Sequence, residues 1–248
     1  MQTILITGCS SGFGLETAKY FFEQGWNVVA TMRTPDEKLL PPSKNLRILS
    51  LDVANAESIQ AVIKAAGPVD ALVNNAGIGS LNALQGETIE SIRQLFETNT
   101  FGTMAMMQAV LPQMIERKSG VVVNVTSTVT LKPLPLLSVY TASKAAINAF
   151  TESVAFELEP FNIRVRLVLP GLSPSTSFGA NARVRMTPIP DAYAELAQGI
   201  FARMGTPSEH VTHPVDVAKA VWRAVTDPST LMRSPAGVDA LEWAANYR

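Results

Sequence analysis

A tyrosine and a lysine stand four residues apart in the segment Tyr140-Thr141-Ala142-Ser143-Lys144. In a helix this spacing places both side chains on one face, one turn apart. An ammonium group beside a phenol favours the phenolate, so Lys144 is expected to lower the pKa of Tyr140 toward a range useful for proton transfer. The alternative for an isolated match is a tyrosine packed beside a solvent-facing lysine. Ser127 stands 13 residues before Tyr140, at the end of a β-rich run.

A glycine-rich segment, TGCSSGFG at 7–14, offers a second kind of chemistry. It follows the first apolar run and leads into a helical pattern. A tight turn there needs glycine, and the free N–H groups of a helix N-terminus attract a pyrophosphate. The alternative is an ordinary glycine-containing turn. The first two glycines are four positions apart, so the motif is not G-x-G-x-x-G, but its context predicts nucleotide binding.

Six short apolar runs must position these residues, and helical segments alternate with them. The runs are 3–7, 27–32, 47–51, 71–75, 121–127 and 163–169. Most are apolar throughout, as expected of strands covered by helices on both faces. Helical periodicity between them is visible at Ala18 and Phe21, and again at Ile59 and Val62. The pattern predicts an α/β protein with a Rossmann-like, doubly wound parallel sheet, in a single domain spanning residues 1–248.

The pattern weakens after the sixth run. Residues 171–191 contain three prolines and no steady period, which predicts a long loop. A helix-like segment follows at 192–204, and Pro214 marks the start of another helix. A long irregular insertion beside a strand end is typical of a functional lid, which we place at about 172–205.

Composition and charge exclude several classes of function. The 248 residues carry 20 basic and 21 acidic side chains, so no strongly basic surface is available for nucleic acid or an anionic membrane. No apolar run is long enough to cross a bilayer, and the N-terminus lacks the features of a signal peptide. A single cysteine suits a reducing compartment, and we expect a cytoplasmic location. His210 and His213 have no accompanying acidic or cysteine cluster, so no metal site is predicted.

Further motifs occur in a recognisable order along the chain. Asn74-Asn75-Ala76-Gly77 closes the fourth run, Asn99 stands in the next helical stretch, and Pro170-Gly171 follows the sixth run. Together with the glycine loop, Ser127 and the Y-x-x-x-K segment, they resemble the short-chain dehydrogenase/reductase family in its single-domain form. The resemblance covers residues 3–171.

The resemblance implies roles for individual residues. Tyr140 would exchange a proton with the substrate oxygen, and Ser127 would stabilise that oxygen. Lys144 would hold the nicotinamide ribose, and Asn99 would help to hold a water beside Lys144. The implied cofactor contacts are Gly8, Ser10, Ser11, Gly12, Phe13, Gly14, Arg33, Asp52, Val53, Asn75, Ala76, Gly77, Tyr140, Lys144, Pro170, Gly171 and Ser173. Asp52 could instead be a helix cap, and Ser173 stands where relatives often carry a β-branched apolar residue.

Arg33 bears on the choice of cofactor. Relatives that use NAD carry an acid at the end of the second strand, whereas a guanidinium there can grip the 2′-phosphate of NADP. We therefore expect NADP(H) to be preferred and NAD(H) to be possible; the alternative is a solvated Arg33, or one paired with Asp36 or Glu37.

The expected activity is interconversion of a carbonyl and an alcohol, with a lipophilic substrate such as a steroid- or retinoid-like carbonyl. The alternatives are a 3-oxoacyl-carrier-protein reductase and a non-catalytic NADP-binding redox sensor. The resemblance also implies a homodimer or homotetramer.

Overall fold

The computed structural model describes residues 1–205 and 210–247. The strands are β1 (Thr3–Ile6), β2 (Asn27–Met32), β3 (Leu46–Ser50), β4 (Ala71–Asn74), β5 (Gly120–Val125), β6 (Ile163–Pro170) and β7 (Arg233–Ala236). The helices are α1 (Gly12–Glu23), α2 (Ala56–Ala66), α3 (Ile89–Phe96), α4 (Gly102–Arg117), α5 (Ser138–Leu158), α6 (Phe178–Val184), α7 (Ala194–Gly205), α8 (Pro214–Thr226) and α9 (Val238–Ala245).

The described strands form one sheet in the order β3-β2-β1-β4-β5-β6-β7, and every neighbouring pair is parallel. Because all strands run the same way, their carboxyl ends lie at one edge. The winding of the chain reverses between β1 and β4, and ligands of open α/β sheets bind in the crevice at such a point. The predicted doubly wound, Rossmann-like sheet is confirmed.

Helices cover both faces of the sheet, which explains the nearly continuous apolar strands. On one face α1 and α8 pack through side chains such as Phe21 and Val221. On the other, α2, α4 and α5 bury Ile59, Met106 and Val154. Every residue of β5 is buried, as expected for a central strand enclosed by two helical layers. None of the described helices is both long and apolar enough to cross a bilayer.

Two elements differ from the sequence prediction. The sequence predicted six strands, but a seventh, β7, pairs with β6 at the edge of the sheet. Its four residues include Pro235, which an edge strand tolerates and which hides the strand from pattern analysis. The proline-rich segment 171–191 was predicted to be a loop throughout, but it contains helix α6. Helix α8 begins at Pro214, as predicted.

Candidate active site

The glycine loop connects the end of β1 to the first turn of α1. Gly8 has a φ of +76°, and a Cβ added to it would lie 2.8 Å from the Cα of Ala76. Only glycine combines this left-handed conformation with so close an approach. The Ser11 side chain does not cap α1, and the helix has no acidic residue in its first turn. The N–H groups of that turn, which have no intrahelical acceptors, are therefore suited to an anion.

The loops that follow β1 and β4 are hydrogen-bonded to each other. Asn75 Nδ2 donates to the carbonyl oxygens of Thr7, at 3.0 Å, and Gly8, at 3.1 Å. The backbone N–H groups of Asn75 and Ala76 both donate to Thr7 Oγ1. These bonds shape the crevice at the point where the winding reverses. The structure thus brings together the glycine loop and the predicted Asn-Asn-Ala-Gly motif.

Ser127, Tyr140 and Lys144 also meet at this edge. Ser127 follows β5, Tyr140 lies in the first turn of α5, and Lys144 lies one turn later. The side chains of Ser127 and Tyr140 form a hydrogen bond. The Lys144 ammonium donates to the carbonyl oxygen of Val125 at 3.1 Å, and Gly77 lies against it. All three predicted residues are buried.

Burial shifts the pKa values of Tyr140 and Lys144. It raises the pKa of Tyr140 to about 12, although the hydrogen bond with Ser127 lowers it in part. Burial lowers the pKa of Lys144 to about 8. The prediction of a lowered pKa for Tyr140 is therefore wrong, because the cost of burying a phenolate outweighs the effect of the hydrogen bond with Ser127. A pKa this high keeps Tyr140 a neutral phenol at physiological pH.

Asn99 lies in a π turn, Glu97–Phe101, between α3 and α4. Its Oδ1 accepts from the N–H of Ile78 at 2.8 Å, and its Nδ2 donates to the carbonyl of Ile78 and to Ser143 Oγ. Ser143 precedes Lys144, so Asn99 ties the loop after β4 to α5. π turns within helices are frequent at functional sites. Both amide protons of Asn99 are used within the protein, and the water beside Lys144 stays a prediction.

Arg33 directly follows β2 and is exposed. Among the residues that the structure describes, it forms no ion pair, and neither Asp36 nor Glu37 is bonded to its side chain. Its carbonyl oxygen accepts a hydrogen bond from Ser50 Oγ at 3.1 Å, which anchors the backbone at the end of β2. The guanidinium is therefore available to a ligand.

Asp52 and Val53 follow β3. Asp52 is exposed, and its Oδ1 accepts a hydrogen bond from the N–H of Ala54 at 3.0 Å. Helix α2 is capped by Asn55, whose side chain accepts from Ser58. The alternative interpretation of Asp52 as the cap of this helix is therefore wrong. Val53 is buried among the apolar residues beneath α2 and α4.

Two residues that the sequence analysis did not single out hold the turn after β6. Thr212 Oγ1 accepts from the N–H of Gly171 at 2.9 Å. Asp239 Oδ2 accepts from the N–H of Leu172 at 2.6 Å. Pro170 and Gly171 thus lie at the carboxyl edge of the sheet, beside the amino end of α9. No local pattern marks these partners, since Leu172 and Asp239 are 67 residues apart.

The chain leaves this turn at Leu172, where the predicted lid at 172–205 begins, and returns to it at Thr212. The two ends are joined, because the N–H of Thr212 donates to the carbonyl of Leu172 at 2.8 Å. Helix α6 lies over the site: the Phe178 ring is 5.5 Å from the ring of Tyr140 and packs over Gly79. Helix α6, within the predicted lid, therefore contacts Tyr140, the predicted proton donor, directly.

A second contact joins the predicted lid, between α6 and α7, to the loop after β4. Asn82 Nδ2 donates to Thr187 Oγ1 at 2.8 Å and to the Thr187 carbonyl at 3.0 Å. An apolar cluster lies around this contact, between the lid and the loops after β4 and β5. Its members are Leu81, Ala83, Leu136, Leu137, Met186, Ile189, Tyr193, Ala197, Ile200 and Phe201.

Several features of these residues suit a dinucleotide. The Lys144 ammonium has three protons, of which one goes to Val125, leaving donors for ribose hydroxyls. Ser173 Oγ, in the lid beside Gly171, is buried and has no hydrogen-bond partner in the described part of the chain. The uncapped amino end of α1 and the exposed Arg33 add polar groups that suit the phosphates of a cofactor. Together, these polar groups lie along the carboxyl edge of the sheet.

The two histidines lie away from these groups. His210 Nδ1 is 2.7 Å from Glu242 Oε1, and His213 precedes α8 at its amino end. Within residues 1–205 and 210–247, no three potential metal ligands gather at one place.

Comparison with known proteins provides an independent test of these predictions. The sequence model of a family described as short chain dehydrogenase matches residues 2–185. A 3-ketodihydrosphingosine reductase from Bacteroides thetaiotaomicron is 34% identical over 95% of this chain and 88% of that protein. Human retinol dehydrogenase 8 is also 34% identical, over 94% of this chain and 80% of that protein.

Solved structures agree with the sequence comparison. A short-chain dehydrogenase from Streptomyces avermitilis superposes with a TM-score of 0.87 at 33% identity, covering 99% of this chain and 91% of that chain. A serine dehydrogenase complexed with NADP+ gives 0.82 at 28% identity, with coverages of 95% and 94%. A 3-ketoacyl-(acyl-carrier-protein) reductase from Brucella melitensis, complexed with NADH, gives 0.79 at 26% identity, with coverages of 94% and 96%.

Proposed function

The chain belongs to the short-chain dehydrogenase family of oxidoreductases, and we propose that it uses NADP(H) to interconvert a carbonyl and an alcohol on a lipophilic substrate. The observation that carries this proposal is the buried group of Ser127, Tyr140 and Lys144 at the carboxyl edge of the sheet. A neutral tyrosine hydrogen-bonded to a serine hydroxyl can both donate a proton to a carbonyl oxygen and polarise it.

In the reducing direction, Tyr140 gives the proton of its hydroxyl to the substrate oxygen. Ser127 donates a hydrogen bond to the same oxygen and stabilises the negative charge that develops there. A bound nicotinamide supplies the hydride to the carbonyl carbon. In the oxidising direction Tyr140 acts as the base. Its raised pKa keeps the hydroxyl protonated at neutral pH, which is the form that reduction requires.

Lys144 and Asn99 support these two residues. Lys144 directs its remaining ammonium protons at the ribose hydroxyls of the cofactor and supplies a positive charge one helical turn from Tyr140. Asn99 holds the loop after β4 against α5 through Ile78 and Ser143, which keeps Lys144 in place.

The substrate class follows from the surfaces around Tyr140. Phe178 covers its ring, and the apolar cluster between the lid and the loops after β4 and β5 continues from there. A cavity of about 250 Å³ adjoins this region and shares Ile78 and Leu95 with the surroundings of Tyr140, but most of its other lining residues, from Ser80 to Thr187, are polar or charged. The preference for a lipophilic ketone or alcohol therefore rests on Phe178 and the apolar cluster, and the cavity would receive a polar part of the substrate. The names of two relatives, a 3-ketodihydrosphingosine reductase and a retinol dehydrogenase, support this choice.

The proposal is tested by following NADPH and NADH oxidation with a panel of ketones, aldehydes and acetoacetyl thioesters. We expect turnover with lipophilic ketones or aldehydes. Preferential turnover of the thioesters would instead favour a 3-oxoacyl-carrier-protein reductase. Tight NADPH binding without turnover of any panel member would favour a redox sensor.

Arg33 supports NADP(H) as the preferred cofactor. Arg33→Ala should raise the KM for NADPH about tenfold or more and leave the KM for NADH nearly unchanged, because only the 2′-phosphate distinguishes the two. Steady-state kinetics with both cofactors measures the effect. Lys38→Ala, which removes an exposed cation nearby, is the matched control. Equal effects of Arg33→Ala on both cofactors would show that Arg33 does not bind the 2′-phosphate.

We propose that residues 172–205 act as a substrate lid. Hydrogen exchange should be faster there than in the sheet when the protein is free, and it should slow when NADP and product are added. The reason is that the lid rests on the site through a few contacts, such as Phe178 on Tyr140, which a ligand extends. Strong protection that ligands do not change would identify the segment as a fixed part of the fold.

We further propose a cytoplasmic homodimer or homotetramer. Aromatic side chains on the helical layer support assembly, since Phe101 is 54% and Phe156 77% exposed to solvent. The carbonyl or alcohol substrate is the expected small-molecule partner.

A further inference from the structure

Asp239 is a buried acidic residue outside the group proposed to transfer the proton. It lies in the first turn of α9 and is 5% exposed. One carboxylate oxygen accepts from the N–H of Leu172 at 2.6 Å, and the other accepts from Thr212 Oγ1 at 2.7 Å. Asp239 therefore bonds to Leu172, where the predicted lid begins, and to Thr212, where the chain returns to the sheet edge.

The surroundings of Asp239 leave no space for larger neighbours. A Cβ on Gly171 would overlap the carboxylate of Asp239, and a Cβ on Gly237 would overlap the hydroxyl of Thr212. Gly237 also has a φ of +108°, which side chains rarely adopt. The backbone of three segments thus converges on one carboxylate and one hydroxyl.

The hydrogen bonds of Asp239 and Thr212 show what these two side chains contribute to the turn. Thr212 Oγ1 accepts from the N–H of Gly171 and lies within hydrogen-bonding distance of the carbonyl of Ala236 as well as Asp239. Without the carboxylate, the N–H of Leu172 loses its acceptor in a turn that is only partly buried, against the buried side chains of Asp239 and Thr212. An unsatisfied N–H in such a place is costly, so the turn would shift to find another acceptor.

We propose that Asp239 is a positioning residue, which holds the turn after β6 in place for the nicotinamide end of the cofactor and joins the lid to the C-terminal helix. The inference rests on the proposed function, because Pro170, Gly171 and Ser173 are expected to contact the cofactor. Asp239 itself is bonded to the protein and acts through the backbone of Gly171 and Leu172.

The test compares Asp239→Ala with Asp239→Asn. Asp239→Ala should weaken NADPH binding about tenfold, measured by fluorescence titration, and speed hydrogen exchange at the amide of Leu172. Asp239→Asn should restore both properties to near the wild-type values. Its amide oxygen can accept from Leu172 while its NH2 group donates to Thr212 Oγ1, whose own proton then goes to Ala236.

Asp70→Ala is the matched control, because Asp70 Oδ2 also accepts from a backbone N–H, that of Thr3, but at the opposite edge of the sheet. It should lower thermal stability without changing NADPH affinity. If Asp239→Ala does not fold, Thr212→Val, which removes the acceptor of Gly171 and the hydroxyl bonded to Asp239, serves for NADPH affinity and for hydrogen exchange at the amide of Gly171.

Unchanged affinity and exchange in Asp239→Ala, or in Thr212→Val as its substitute, would overturn the proposal. Equal losses of NADPH affinity and of exchange protection in Asp239→Asn and Asp239→Ala would also overturn the proposal, since hydrogen bonding would then not be the cause. A wild-type protein that fails to bind NADPH contradicts the proposed function instead, and exchange at Leu172 still decides whether Asp239 holds the turn.

Discussion

Replacing Tyr140 by phenylalanine should lower turnover by at least ~100-fold and leave NADPH binding nearly unchanged. The change removes the one proton that the site can give to the substrate oxygen, and general-acid catalysis contributes at least this much. The ring remains, so its packing against Phe178 and within its apolar surroundings is kept. Single-turnover kinetics and a fluorescence titration with NADPH measure the two quantities separately.

Tyr20→Phe is the control for this substitution. The ring of Tyr20 meets that of Trp222 edge to face, on the face of the sheet covered by α1 and α8, and its change should affect neither quantity. A Tyr140→Phe variant with turnover near that of the wild type would contradict the proposal that Tyr140 gives a proton to the substrate oxygen.

Lys144→Met should weaken NADPH binding at least about tenfold and also lower turnover. Methionine fills a similar volume but cannot donate hydrogen bonds, and charge-assisted bonds are among the stronger ones. Both effects are expected because Lys144 serves the ribose and Tyr140 together. Loss of turnover with normal affinity would contradict the role at the ribose. Lys219→Met, an exposed change on α8, is the control.

The pH dependence of binding tests the same residue in another way. Burial lowers the pKa of Lys144 to about 8, so its ammonium is present below that pH and is lost as the pH rises through it. NADPH affinity of the wild-type protein should therefore fall as the pH rises through about 8. The same titration of Lys144→Met should show no such fall, because methionine has no proton to lose.

Much of the fold could be predicted because its strands are both buried and apolar. β5, for example, is buried along its whole length, and the last four residues of β6 are buried and apolar. The glycine loop was equally visible, since Gly8 meets a backbone requirement that few other residues satisfy. Motifs of this kind are local, so the sequence alone contains the information that specifies them.

The remaining features depend on contacts between distant residues. β7 is short, contains Pro235 and is recognisable only through its pairing with β6. The link from Asp239 to Leu172 spans 67 positions without a pattern. The pKa of Tyr140 was predicted in the wrong direction because spacing reveals a neighbouring lysine but not the depth of burial. Asp52 likewise looked like a possible helix cap until Asn55 was found in that position.

The hydrogen bond between Thr212 and Leu172 has an evolutionary consequence. It closes the neck of the lid, so the segment between these residues begins and ends at the same point of the sheet edge. Lengthening a closed excursion costs little, about 0.6 kcal/mol for each doubling of a flexible loop. Insertions, deletions and wholesale exchange of this segment can therefore accumulate while the sheet, the glycine loop and Tyr140 keep their positions. Under the proposed role of residues 172–205 as a substrate lid, a lineage built on this scaffold could change its substrate by replacing most of this segment and keep Ser127, Tyr140 and Lys144.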